Sequence, residues 1–382
     1  MMFARIGLLL VAALWVHGAA AAVSCPIELG SVRPESGSAA YSGRSLANGI
    51  QMALDKINAA GGIAGCQVKI IAYDSQSQPG TAATLARRLV FSDHVPLVLG
   101  SSMSVESLAM LEVTENAGIP LYVASSASAK ITNQGYKFVW RQSVVDIIAA
   151  RALMRYVVET LGWKKVAIAY ENSDYGRPTY QNVLKPTLES LGATVTTAEA
   201  MSTGDSDFSS QLLRMRDSGA QGIVYWGYLK EASILLAENQ QLKIDLPIAG
   251  GTGIVYPSFL ALLSPEVQAA TNLVAVSQFV PASDDPQQRA WIDAYREKFH
   301  IEPDVTSLDA FDMMSVLKLA IEQAGSMEPD ALQAAFRKVS YVGVGGPISF
   351  DDAGQAQRSV EIVRMTPKDG PGFKVEAIIP GG

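Results

Sequence analysis

Short apolar runs alternate with stretches of helical periodicity along most of this chain, and the alternation runs through two successive sets. In the first set, strands are expected at 26–32, 67–73, 95–99, 119–123 and 137–141. Between the first two, Leu46, Ile50, Leu54 and Ile57 recur at helical spacing until Gly61-Gly62 ends the pattern. The second set places strands at 165–170, 193–198, 222–226, 246–250 and 273–280, with helices between them. Parallel neighbours need crossover helices, so strict alternation predicts an α/β fold with doubly wound parallel sheets. Two sets within 382 residues predict two such lobes. Helical patterns at 286–299, 307–324 and 329–339 precede a strand-rich tail at 346–350, 360–365 and 373–379. Turns are expected at Asp369-Gly370 and Pro380-Gly381. This tail is expected to return and complete the two lobes.

The first 22 residues read as a signal peptide outside the fold. Arg5 precedes an apolar run at 6–16, and small residues at 19–22 suit cleavage after Ala22. The run is too short to span a bilayer, so an exported, periplasmic protein is expected. Cys25 and Cys66 admit two uses. One is lipid attachment at Cys25, although Ala22-Val23-Ser24 lacks the large apolar residue such signals carry. The other is a disulfide, since both cysteines immediately precede expected neighbouring strands.

The stretch 95–128 is the densest in candidate binding groups. Two expected strands there both end in serine-rich turns, Ser101, Ser102 and Ser104 after one, Ser125, Ser126 and Ser128 after the other. A βαβ unit brings those ends together at the rim where ligands bind in open α/β sheets. A helix starting near Ser104 would aim free N–H groups at the same place, which suits a carboxylate or a phosphate. Other strand ends add Tyr41, Tyr175 and Tyr228, each offering area and one hydrogen bond.

Catalytic sets are missing. His94 and His300 stand in unrelated contexts, at the ends of expected helices. There is no nucleophile elbow, phosphate loop or dinucleotide fingerprint, and no ligand spacing for zinc. Asp351-Asp352 lacks the rest of a calcium loop. A net charge of −7 argues against nucleic acid. A binding protein without metal or cofactor is expected, not an enzyme.

Several stretches resemble the branched-chain amino-acid type of periplasmic solute-binding protein, the type I binding proteins of ABC importers. They are GIQMALDKINAAGGIAG (49–65), VPLVLGSSMS (95–104), IPLYVASSASAKIT (119–132), VAIAYENSDYGR (166–177) and DFSSQLLRMRDSGAQGIVYWG (207–227). The resemblance implies two Rossmann-like lobes joined by three crossover segments, with the ligand between them. Lobe 1 would comprise 23–142 and 278–352, and lobe 2 would comprise 143–277 and 353–382. Crossings are expected near 141–143, 277–279 and 350–355. A monomer serving an ABC permease and ATPase is implied, and the same fold would equally serve a sensor for a separate signalling partner.

By position, the resemblance makes Tyr41, Ser104, Ser125 and Ala127 first-lobe contacts for a ligand carboxylate and ammonium. Tyr175, Tyr228 and Thr252 would come from the second lobe. Two departures stand out. Ala127 replaces a common threonine or serine. Thr252 replaces the acid that pairs with the ammonium in amino-acid binders, and a buried ammonium without a carboxylate is costly. The missing acid points to an organic or aromatic acid lacking an α-amine, which Tyr225, Trp226 and Tyr228 would suit. Alternatively Glu171, Asp174, Asp309 or Asp312 supplies the charge.

Overall fold

The computed structural model describes residues 23–173, 175–282, 285–366 and 372–379. The leader, Asp174 and the turns at Asp369-Gly370 and Pro380-Gly381 lie outside the described residues.

The first set of strands forms one parallel sheet: β1 (Ile27–Arg33), β2 (Val68–Asp74), β3 (Val98–Gly100), β4 (Leu121–Val123) and β5 (Val139–Arg141), in the order β2-β1-β3-β4-β5. Both faces are buried, as a parallel sheet requires. Leu97, Leu99, Tyr122 and Ala124 face a core shared with helices Ala40–Ala59 and Val305–Ala324. Val98, Leu121 and Val123 alternate with them and face the opposite core under helices Pro79–Phe91 and Ser104–Asn116. Gly49 allows the first pair of helices to touch: a Cβ there would stand 2.2 Å from the Ser307 carbonyl oxygen.

The second set builds β6 (Lys165–Glu171), β7 (Thr194–Met201), β8 (Gly222–Trp226), β9 (Ile248–Gly250) and β10 (Leu273–Ser277). The tail divides between the two sheets' surroundings. Strands β11 (Ser340–Gly343), β12 (Gly346–Phe350) and β13 (Ala356–Gln357) make a small antiparallel sheet, and Ile348 and Ala356 bury into the first lobe's core. Strands β14 (Val360–Met365) and β15 (Phe373–Ile379) extend the second sheet, whose order is β15-β14-β10-β9-β8-β6-β7. Ala167, Ala169, Ile223 and Tyr225 face one core of this lobe, and Val166, Ile168, Val224 and Trp226 the other.

The third crossing falls at Arg358-Ser359, later than the expected 350–355. Phe350 and Ser349 still pair with Ala356 and Gln357, which keeps the chain in the first lobe until the strand Val360–Met365 begins. The crossings are tied to one another. Gln355 accepts from Arg141 Nε at 2.5 Å and donates to the Ser143 carbonyl at 2.8 Å, while Gln278 accepts from the Val144 N–H at 2.7 Å. At the third crossing the buried Arg358 guanidinium pairs with Asp309 and Asp312. Cys25 and Cys66 form a disulfide with Cα atoms 5.1 Å apart, at the starting ends of β1 and β2.

Candidate functional site

Parallel register brings the two serine turns side by side, because Gly100 pairs with Val123 and Val123 with Arg141. The six serines then separate by role. Ser101 and Ser126 are buried. Ser101 donates to Glu106 at 2.5 Å, and Ser126 bonds to the Ser101 carbonyl and the Ser107 hydroxyl. They hold the turns together. Ser128 is also buried; its N–H donates to the Ser104 hydroxyl at 3.2 Å, and its carbonyl accepts from Arg141. Ser102, Ser104, Ser125 and Ala127 remain half-buried at the rim. Ser102 bonds to Ser42 at 2.9 Å. Ser104 heads helix Ser104–Asn116, so its neighbourhood carries that helix's free N–H groups. Ser125 reaches Thr306 across 3.2 Å.

On the second sheet, Tyr170 pairs with Trp226 and Tyr225 with Gly250. That register sets Tyr175, Tyr228 and Thr252 beyond three neighbouring strand ends. Tyr175 and Tyr228 stack with ring centroids 5.0 Å apart and planes 22° from parallel. Gly253 permits this packing, since a Cβ there would lie 2.3 Å from the Gly227 carbonyl oxygen and 3.1 Å from the Tyr175 hydroxyl. Tyr225 and Trp226 do not line the cleft: both are core residues, 1% and 0% exposed. The Tyr225 hydroxyl donates to the Tyr228 carbonyl at 2.7 Å and so fixes that turn.

The two lobes meet at a pair that only half-emerges from the sequence. Tyr41 from the first lobe meets the edge of Tyr256 from the second, centroids 6.3 Å apart and planes at 87°. Tyr41 sits against Asp304 and Ser258, and burial pushes its phenol well above the usual range. Tyr256 in turn sits against Thr306, with its own phenol pushed up by burial. Asp304 caps helix Val305–Ala324 and accepts from Ser45 and the Ser307 N–H. A cavity of about 470 Å³ opens beside this pair, between Tyr256, Pro257, Leu260, Phe279 and Asp304. Tyr41, Ser104, Ser125, Ala127, Tyr175, Tyr228 and Thr252 do not line it.

The residue that joins these walls is Asp146, at the start of helix Asp146–Arg155 just after the first crossing. Its N–H donates to the Ala127 carbonyl at 3.3 Å, in the first lobe. Its carboxylate accepts from the Thr252 hydroxyl at 3.2 Å and from Trp226 Nε1 at 3.4 Å, in the second. Its charge is felt by Tyr175, Tyr228 and Tyr256. Burial pushes the Asp146 carboxyl up to about 7, against the lowering effects of these donors and of Arg141.

The acids expected from the sequence are otherwise engaged. Glu171 closes its own loop, accepting from the Ser173 hydroxyl at 2.5 Å and from the N–H groups of Ser173 and Gly176. Asp309 and Asp312 belong to Arg358. Asp174 lies outside the described residues. Asp146 is not among the residues expected from the sequence, where it stands only as an acid in the first turn of the helix that follows the strand end 137–141. A strand-end acid in a parallel sheet points at the same rim as the serines before it.

Among known proteins, the family described as "Periplasmic binding protein" matches residues 26–371. The leucine-, isoleucine-, valine-, threonine- and alanine-binding protein of Pseudomonas aeruginosa is 27% identical over 330 residues, 86% of each chain. The branched-chain amino acid transporter substrate-binding protein LivJ of Streptococcus pneumoniae, solved with isoleucine, is 28% identical with a TM-score of 0.82. The match covers 93% of this chain and 99% of that one. An ABC-transporter solute-binding protein of Rhodopseudomonas palustris, solved with 3,4-dihydroxybenzoic acid, shares the fold at 19% identity and a TM-score of 0.84, covering 93% and 98%.

Proposed function

This chain belongs to the periplasmic binding protein family, and from that premise we propose that it is the exported solute-binding component of an ABC importer. It captures a small carboxylate-bearing solute between its lobes and presents the closed form to a permease and its ATPase. Cleavage near Ala22 releases it into the periplasm. The observation that carries this reading is the convergence of both serine turns with Tyr175, Tyr228 and Thr252, bridged by Asp146. Ser104, Ser125 and the N-terminal N–H groups of helix Ser104–Asn116 suit a carboxylate. The stacked tyrosines form the wall that meets the side chain.

The site is read here as one for capture. Among the described residues no group of three or more histidine, cysteine, aspartate or glutamate side chains could hold a metal ion. Closure needs only that the closed form bind the solute better than the open one.

A thermal-unfolding screen against amino acids, short-chain acids and aromatic acids tests the proposal. A true solute at a hundred times its dissociation constant adds about 2.7 kcal/mol of stability. Ser104→Ala should weaken that solute by roughly tenfold, the worth of one charge-assisted hydrogen bond. Silence across all three classes, or chemical conversion of a bound compound, would overturn it.

A further inference from the structure

We propose that Arg141 is a positioning residue for the capture site: it clamps the carbonyl side of the turn Ser126–Ser128 to the approach of the third crossing, so that the hinge sets where the turn's N–H side points. This rests on the capture reading above and adds a means of regulating that site.

Arg141 ends β5, and it is 0% exposed. It stands behind the turn, shut off from the cleft, and acts through what it holds. All three guanidinium nitrogens are engaged. Nη1 donates to the Ser126 carbonyl at 3.4 Å and to the Ser128 carbonyl. Nη2 donates to the Thr132 hydroxyl at 3.2 Å. Nε donates to Gln355 Oε1 at 2.5 Å, and the backbone N–H of Arg141 to the Gly354 carbonyl at 2.9 Å. One side chain thus grips both the turn after β4 and the chain that leads to the third crossing. Its charge interacts with Asp146, just past the first crossing, and with Asp351, ahead of the third. A lysine would keep that charge but has no fork to span the two ends.

The turn is fastened by its carbonyls. The Ser126 carbonyl also accepts from the Ser143 hydroxyl at 3.2 Å, and the Ala127 carbonyl accepts from the Asp146 N–H at 3.3 Å. The Ser126 carbonyl and the Ala127 N–H belong to one trans peptide plane and point in opposite directions. By holding the carbonyl, Arg141 aims that N–H away from itself. Among the described residues the Ala127 N–H has no hydrogen-bond partner. In the next plane, the Ser128 N–H donates to the Ser104 hydroxyl. Gln355 reaches the same place by a second route, because it donates to the Ser143 carbonyl at 2.8 Å. Both routes end on the Ser126 carbonyl.

Residue-resolved hydrogen exchange on the purified protein without ligand tests the clamp. Gln355→Met cuts its far end and leaves the turn's own residues in place. Exchange at the Ser128 and Asp146 amides should then speed about tenfold relative to the strand Ile27–Arg33. Gln355→Glu keeps an acceptor for Arg141 Nε and should stay within about threefold of wild type at both amides. Arg141→Lys should equal or exceed Gln355→Met. Benzoate and L-leucine serve as probe anions in calorimetry. Whichever the wild type binds should be weakened about tenfold by Gln355→Met and by Arg141→Lys. The double variant should lie within about twofold of Arg141→Lys, because both substitutions cut one chain of contacts. Four results would each overturn the inference and leave capture intact: a uniform rise in exchange along the chain, unchanged exchange at Ser128 in Gln355→Met, a Gln355→Glu variant as perturbed as Gln355→Met, or unchanged affinity for a bound probe. Binding of neither probe by wild type counts against the capture reading, and exchange alone then decides the clamp.

Discussion

Thr252 and Asp146 lie far apart in sequence and share a hydrogen bond of 3.2 Å, the hydroxyl donating to the carboxylate. Through that bond a position that looks neutral in the sequence is continuous with a buried negative charge.

Asp146 gives stability a pH dependence. Burial pushes its carboxyl up to about 7, above the unfolded value, so its contribution is complete below about pH 4 and lost as pH rises through 7. The groups facing Asp146 do not titrate in this range. Burial brings Arg141 down to about 10, and raises Tyr175, Tyr228 and Tyr256 above their usual range. Urea unfolding should therefore show stability falling between pH 5 and pH 8, and Asp146→Asn should remove part of that fall. The same fall in both proteins would count against a raised Asp146.

The Tyr41–Tyr256 edge contact joins the lobes directly. Such a pair contributes roughly 0.5–1.5 kcal/mol beyond its buried area. Tyr256→Ala should therefore favour the open form and weaken the solute by about tenfold. Tyr256→Phe should keep most of the affinity. Small-angle scattering should show a larger radius of gyration for Tyr256→Ala without ligand, and an unchanged radius would refute the latch.

Arg358 neutralises two buried acids at the third crossing. Arg358→Met should cost about 3–5 kcal/mol, because Asp309 and Asp312 are then buried without a cation. Burial already raises both carboxyl groups, so they can take up protons in acid. The loss should be greater at pH 8 than at pH 5 in urea unfolding. A pH-independent loss would mean that packing, not charge, is what the substitution removes.

Glu361 begins the return into the second sheet, and its Oε2 has no hydrogen-bond partner. Burial raises its carboxyl to about 7 against the pull of Arg358. With the folded value above the unfolded one, its contribution is complete below about pH 4 and lost as pH rises through 7. Glu361→Gln should thus stabilise the protein at pH 8 by about 1–3 kcal/mol and have little effect at pH 5. Equal effects at both values would sink this account.

The architecture was legible because parallel strands buried on both faces must be apolar throughout, and such runs stand out between helical periods. The serine turns were legible for the same reason, as each begins where an apolar run stops. Which serines face inward was not, since Ser101 and Ser126 differ from Ser104 and Ser125 only in tertiary partners. The third crossing was misplaced because the Phe350–Ala356 pairing is short and polar around it. Asp146 was not legible, because its partners Ala127, Trp226 and Thr252 are spread over more than a hundred residues, and only sheet register gathers them. The arrangement of Tyr256 opposite Tyr41 likewise depends on how the lobes meet, which no local pattern encodes.

Gln278 and Gln355 each reach from one crossing to another, to the Val144 N–H and to Arg141 and the Ser143 carbonyl. Three separate straps could each twist on its own. Laced by amide side chains, they are held together like the leaves of one hinge. A shift at one crossing is thereby passed to the other two.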